Sequence, residues 1–161
     1  MKHANALLAL ALVLSVGANV PARAQAAATT DGSTELTVSV ENSSVKVGDT
    51  FTLYISMKNM HKDEYCYEVI GETGKAELNG FIAEVTDSEG HILPKIKQPY
   101  PRAWSESRQC IRHGKAISEF MNVGRLRDMS NPGVYRIRVS HLDKMTNEIV
   151  WSNSITVTIT Q

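Results

Sequence analysis

Few residues in this chain are suited to chemistry. Met57, Met60 and His61 form an M-x-x-M-H run, with Asp63 and Glu64 just beyond it. Thioether sulfur beside imidazole nitrogen suits Cu(I). Copper also needs a third or fourth ligand, and spacing supplies none. The competing reading makes Met57 a core residue, alternating with Ile55, and leaves Met60 and His61 in a loop. Cys66 and Cys110 are the only two cysteines. Neither has a C-x-x-C partner or a third soft ligand nearby, so a disulfide competes with free thiols and with metal ligation. Gly-x-Ser-x-Gly, His-Glu-x-x-His, P-loop and GxGxxG patterns are all absent. The expectation is a protein that is not an enzyme and needs no cofactor.

The other concentration of reactive types lies in the irregular run 97–114. It holds Pro99, Pro101 and Cys110, with Lys97, Arg102, Arg108, Arg112 and His113 as basic side chains. Tyr100, Arg102, Trp104 and Arg108 are of the kinds enriched at binding hot spots. Long connections inside compact domains tend to be functional, stapled or mobile. Two readings follow. The run is a binding loop, or Trp104 folds back over a sheet end while Cys110 pins the segment as a cover. Trp104→Ala separates them: lost stability with intact binding marks a cover.

Such residues need a scaffold, and its first part is a leader. Met1-Lys2-His3 is a basic start, Ala6 to Val16 is small and apolar, and A-x-A sites end at Ala24 and Ala26. That is the pattern of a cleavable secretory signal peptide over 1–26. Its apolar core is shorter than the ~20 residues of a spanning helix, and no later segment is apolar enough to span. Residues 27–34 read as a flexible lead-in, and 35–161 as one domain. Periplasmic or secreted localisation is the expectation. There two cysteines most often pair, so Cys66–Cys110 is the favoured disulfide.

The full chain has 17 basic and 17 acidic residues, a net charge of +0. Removing Lys2 and Arg23 leaves fifteen basic against seventeen acidic, a charge of −2. This balance gives no basis for nucleic-acid or anionic-membrane binding. A protein or glycan partner is the remaining expectation, and the sequence does not fix the oligomeric state.

The domain reads as strands throughout. Leu36, Val38 and Val40 alternate with polar residues, and Phe51, Leu53, Ile55 and Met57 alternate with Thr52, Tyr54 and Ser56. Further strands are expected at Tyr65 to Ile70, Phe81 to Thr86 and Lys115 to Val123. A short edge strand around Ile92, Leu93 and Ile96 is broken by Pro94. Asn131-Pro132-Gly133 is a turn in which Gly133 accommodates a positive φ, leading to Tyr135, Ile137 and Val139. His141 to Asn147 is read as the turn before a last strand, Ile155 to Thr160. No 3.6-residue periodicity follows the leader. About seven short strands separated by turn chemistry predict an all-β antiparallel sandwich.

Two phrases carry a resemblance. Val45-x-Val47-Gly48-Asp49-x-Phe51-x-Leu53 and Asp128-x-x-x-Pro132-Gly133-x-Tyr135 resemble the turn and the tyrosine corner of exported bacterial immunoglobulin-like domains. The resemblance implies that Asp128, Gly133 and Tyr135 form a structural corner, with the Tyr135 hydroxyl bonding backbone a few residues upstream. Antibody domains place a cysteine two residues past that tyrosine; here Ile137 stands there, so their disulfide does not carry over. The resemblance implies a binding module. A protease-inhibitor-like protein presenting the 97–114 loop is the alternative, and a periplasmic copper-binding protein is the weaker one.

Overall fold

The computed structural model describes residues 33–70, 80–96 and 106–161. Among them lie ten strands: β1 (Thr34–Val40), β2 (Ser44–Lys46), β3 (Thr52–Asn59), β4 (Tyr65–Ile70), β5 (Phe81–Thr86), β6 (Glu106–Ile111), β7 (Ala116–Asn122), β8 (Gly133–Asp143), β9 (Glu148–Trp151) and β10 (Ile155–Thr160). A 3-10 turn, Val123–Arg125, follows β7. The leader, and the segment holding Tyr100, Arg102 and Trp104, lie outside the described residues.

One sheet has the order β1-β3-β7, all antiparallel. The other runs β2-β10-β8-β5, with β9 alongside β8 and β2 parallel to β10. β4 and β6 form a separate two-stranded ribbon. This is an all-β sandwich whose early, middle and late strands divide between two sheets as in immunoglobulin-like folds.

Alternation explains the core. On β3, Leu53, Ile55 and Met57 point inward, and Leu36 and Val38 join them from β1. Phe81, Ala83 and Val85 of β5, Ile137 and Val139 of β8, and Val157 and Ile159 of β10 face them from the second sheet. Each large aliphatic or aromatic side chain buried this way contributes roughly 1.5–3 kcal/mol.

The Tyr135 hydroxyl donates to the Asn131 carbonyl oxygen at 2.8 Å, the bond a corner tyrosine makes. Asp128 Oδ1 accepts from the Ser130 N–H and shapes the approach to that turn. Gly133 departs from expectation: it is not among the positive-φ glycines but begins β8. Gly48, at φ 86, does supply a left-handed turn residue before β3.

Between β9 and β10 the chain turns polar residues inward. Asn153 Oδ1 accepts from the Val38 N–H at 2.7 Å, and its Nδ2 donates to the Val38 carbonyl at 3.0 Å. One amide side chain thus completes an edge pairing for β1 and joins the two sheets.

Four expectations need correction. There are ten strands among the described residues, where alternation suggested about seven. Residues 106–111, taken as irregular, form β6; Ser107, Arg108 and Cys110 are exposed, so no apolar alternation marked the strand. The expected strand at Ile92–Ile96 reduces to single bridges, Thr86 to Ile92 and Lys95 to Arg127. β8 continues through His141 to Asp143, and β9 follows the turn after it. Alternation seemed to end there because the inward positions become histidine and aspartate.

Candidate binding surface

β8 organises the residues of interest because its two faces differ. Inward, after Val139, come His141 and Asp143; outward stand Val134, Arg136, Arg138, Ser140 and Leu142.

The inward side builds a buried polar network. Asp143 is fully buried, and its Oδ2 accepts from His61 Nε2 at 2.7 Å and from the Thr34 N–H at 2.9 Å. Its Oδ1 accepts from the N–H groups of Met145 and Thr146, closing the turn to β9. His141 places Nδ1 3.2 Å from the Gly80 carbonyl and Nε2 3.0 Å from the Tyr65 hydroxyl. A carbonyl only accepts, so Nδ1 carries the proton and Nε2 receives the tyrosine O–H. The His141 ring stacks on Phe81 at 4.7 Å, and His61 stacks on Tyr65 at 5.7 Å.

The loop after β3 is pinned to the same network. Asn59 Oδ1 accepts from the His61 N–H, and Asn59 Nδ2 donates to the carbonyls of Asp63 and Ile111. The His61 carbonyl in turn accepts from His113 Nδ1 at 2.7 Å. A His–Asp pair invites a catalytic reading. Yet His61, Tyr65, His141 and Asp143 are all buried, and His61 Nε2, both His141 ring nitrogens, the Tyr65 hydroxyl and both Asp143 oxygens are engaged with one another or with backbone. What this network does is order the end of the sandwich that carries the β8–β9 hairpin.

Its titration has a sign. Burial raises the Asp143 carboxyl, but the bonds from Thr34, His61 and Met145 outweigh it and hold the group below its ordinary value of 3.8. Its stabilisation is complete above that value and is lost as pH falls through the folded one. Burial lowers His141 below its ordinary 6.5, against the opposing pull of the Gly80 carbonyl. A histidine kept neutral by the fold weakens folding once pH drops below the unfolded value. Both groups therefore make acid destabilising, whereas Glu119, raised by burial, loses its contribution as pH rises through its folded value. The urea midpoint is expected to fall between pH 7 and pH 5 and again below pH 4, with His141→Asn flattening the first step. A midpoint constant from pH 7 to 5 in the wild type contradicts this assignment.

The outward side is different. Ile82 and Trp151 flank Ser140 across the ladder, and Leu142 stands opposite Ile149. Ile82 is 47% exposed, Leu142 46%, Ile149 62% and Trp151 36%. The Arg138 guanidinium lies 4.0 Å over the Trp151 ring, and its Nε donates to Glu84 Oε1 at 2.7 Å. The arginine is thus held in place beside an exposed apolar group.

The candidate residues from the sequence are dispersed. Arg108 is exposed on β6, opposite Glu68. Met57 is sealed in the core, Met60 is half-buried after β3, and His61 has its Nε2 on Asp143. Cys66 and Cys110 face each other across β4 and β6 and form a disulfide, with Cα atoms 4.1 Å apart. Glu64 with these two cysteines is the one metal-like group of three His, Cys, Asp or Glu side chains among the described residues. Its sulfurs are committed to each other, so it offers no thiolates. A hollow of about 500 Å³ beside β2, lined by Glu41, Val45, Asp49 and Phe51 among others, opens widely to solvent. The sequence reading missed the Asp143 network and the Trp151 surface. Trp151 four residues before Ile155, in a segment with no assigned strand, was the available signal.

No family model matches the sequence, and no curated protein matches it. Among solved structures the chain is similar to part of a beta-glucosidase from Listeria innocua in complex with glucose. The identity is 13%, over 80% of this chain and 16% of that one, with a TM-score of 0.43. It is also similar to part of a calcium-binding mutant of Bacteroides uniformis beta-glucuronidase 2. There the identity is 11%, over 77% and 13% of the two chains, with a TM-score of 0.37. The chain spans less than a fifth of either enzyme, and nothing of their activity transfers to it.

Proposed function

We propose that the chain is a non-catalytic, exported, immunoglobulin-like binding module that takes a protein partner on the outer face of β8 and β9. One observation carries the reading. Ile82, Leu142, Ile149 and Trp151 form an exposed apolar group, with Arg138 fixed beside it between Trp151 and Glu84. Clustered exposed apolar side chains mark interaction surfaces. Tryptophan and arginine are the residues most enriched at binding hot spots. An arginine already ordered in the free protein loses less entropy on association. Export is supported by the leader pattern and by a disulfide, which persists in oxidising compartments. The inhibitor and copper alternatives have no comparable observation behind them.

The test is affinity capture from an envelope extract of the native host, with wild type, Trp151→Ala and Ile149→Asp. A discrete partner is expected with wild type and at least a tenfold loss of it with either variant, both variants melting near wild type. Equal capture by all three contradicts the assignment.

A further inference from the structure

The opposite sheet has its own outward face, and its composition differs from that of β8 and β9. Reading across β1, β3 and β7 in register gives four rows. Thr52 stands beside Asn122; Ser39, Tyr54 and Phe120 form the next row; Thr37, Ser56 and Ser118 the third; Glu35, Lys58 and Ala116 the last. Charge occurs only in the last row, where Glu35 and Lys58 are directly opposite and cancel. The other three rows hold two aromatic rings and six hydroxyl or amide side chains. Tyr54 is 45% and Phe120 44% exposed, although each belongs to a well-packed strand. Among the described residues neither ring stacks on another ring or beneath a cation.

We infer that this face is a platform for a neutral polysaccharide. The chemistry matches group by group. Aromatic faces carry the negative lobe of the ring quadrupole, and the C–H bonds on a pyranose face present weakly positive hydrogens to it. Directly opposed residues of an antiparallel pair have Cβ atoms about 5 Å apart, so the two rings rise from neighbouring points on adjacent strands. The serine and threonine hydroxyls on either side offer donors and acceptors that adapt to sugar hydroxyls at small entropic cost, as they do in other recognition surfaces. Three strands at about 4.8 Å spacing, and four rows two residues apart, make a shallow strip roughly 10 Å by 20 Å. That shape suits an extended chain of linked sugar rings and encloses no small ligand.

Charge makes the choice of occupant. A polyanionic glycan or nucleic acid needs a basic surface, and this face has a single lysine, opposite a glutamate in the ladder. A protein partner is favoured on the other sheet, where tryptophan, arginine and aliphatic side chains cluster. The platform is thus a second site, independent of the surface around Trp151.

The experiment is depletion of the purified full-length mature protein by four insoluble neutral polysaccharides: cellulose, xylan, chitin and mannan. Polygalacturonate gel serves as the charged control. The expected result is retention on at least one neutral polymer and none on polygalacturonate. Tyr54→Ala and Phe120→Ala each weaken retention at least tenfold, and Trp151→Ala leaves it unchanged. Because a truncated ring could disturb the sheet, Ser56→Glu is the companion variant: it keeps both rings, puts a charge in the neutral rows, and is expected to weaken retention equally. Retention on none of the four polymers overturns the inference. So does retention that survives Tyr54→Ala, Phe120→Ala and Ser56→Glu, or that requires Trp151.

Discussion

Asp143→Ala is expected to remove about 3–5 kcal/mol of folding stability, because the buried donors that its carboxylate satisfies are left without an acceptor. The carboxylate satisfies His61 Nε2 and the N–H groups of Thr34, Met145 and Thr146. Its loss strands the buried donors of His61 and Thr34 and frees the half-buried turn N–H groups of Met145 and Thr146, and each buried unsatisfied group costs about 1–3 kcal/mol. A domain of this size has only about 5–15 kcal/mol in hand, so the variant should be marginal at 37 °C. Urea unfolding of the variant measures the effect. The cycle with His61→Ala should give a coupling above about 1 kcal/mol, as expected for residues sharing a hydrogen bond. A loss below about 1 kcal/mol, or additive single effects, would show that the network does not anchor this end of the sandwich.

The second large effect is predicted for the disulfide. Cys66 and Cys110 are separated by 44 residues in sequence. On the chain-entropy model, closing a loop of that length stabilises the fold by about 4 kcal/mol. There is also a local reason for a large effect. Among the described residues β4 and β6 pair only with each other, and an isolated two-stranded ribbon is marginal in water. The ribbon is otherwise tied down by the burial of Tyr65, Tyr67 and Ile111 and by the bonds of the Tyr65 hydroxyl to His141 and of Asn59 to the Ile111 carbonyl. Cys66→Ser/Cys110→Ser is therefore expected to lower the urea midpoint steeply, and reductant should reproduce the loss in the wild type, since Cys110 is exposed. An unchanged midpoint in both experiments would mean that the crosslink constrains nothing the unfolded chain explores.

The sequence made the scaffold legible wherever one face of a strand is apolar. β1, β3, β5 and β10 alternate cleanly, and the Tyr135 hydroxyl bond is where the Pro-Gly-x-Tyr phrase suggested. β6 and β9 were hidden because their residues are largely exposed, and an exposed strand leaves no hydrophobic period to read. The end of β8 was hidden for the opposite reason. Its inward residues, His141 and Asp143, are polar, and what makes burial tolerable there is a set of partners 60 to 110 residues away in sequence. The spacing offers His61 as an imidazole ligand beside methionine sulfur; the structure gives it an aspartate. Such pairings are non-local, and no spacing rule announces them.

Both candidate surfaces were legible in part. Tyr54 and Phe120 occupy the polar phase of their strands, where an aromatic residue has no core to fill. That anomaly is visible in the sequence once the strand is assigned. Trp151 required β9, and β9 required knowing where β8 ends. The reading therefore went to the aromatic and basic residues of the 97–114 run, of which Arg108 is the one among the described residues, exposed on β6.

The claim that a protein partner docks beside Trp151 is tested most directly by site-specific photo-crosslinking in the native host. A benzophenone side chain is placed at Ile149, in the centre of the apolar group, and at Lys46, on β2 at the far edge of the same sheet. The account predicts one discrete crosslinked species from position 149, absent from position 46 and abolished by Trp151→Ala. No adduct at 149, or the same adducts from both positions, would contradict it.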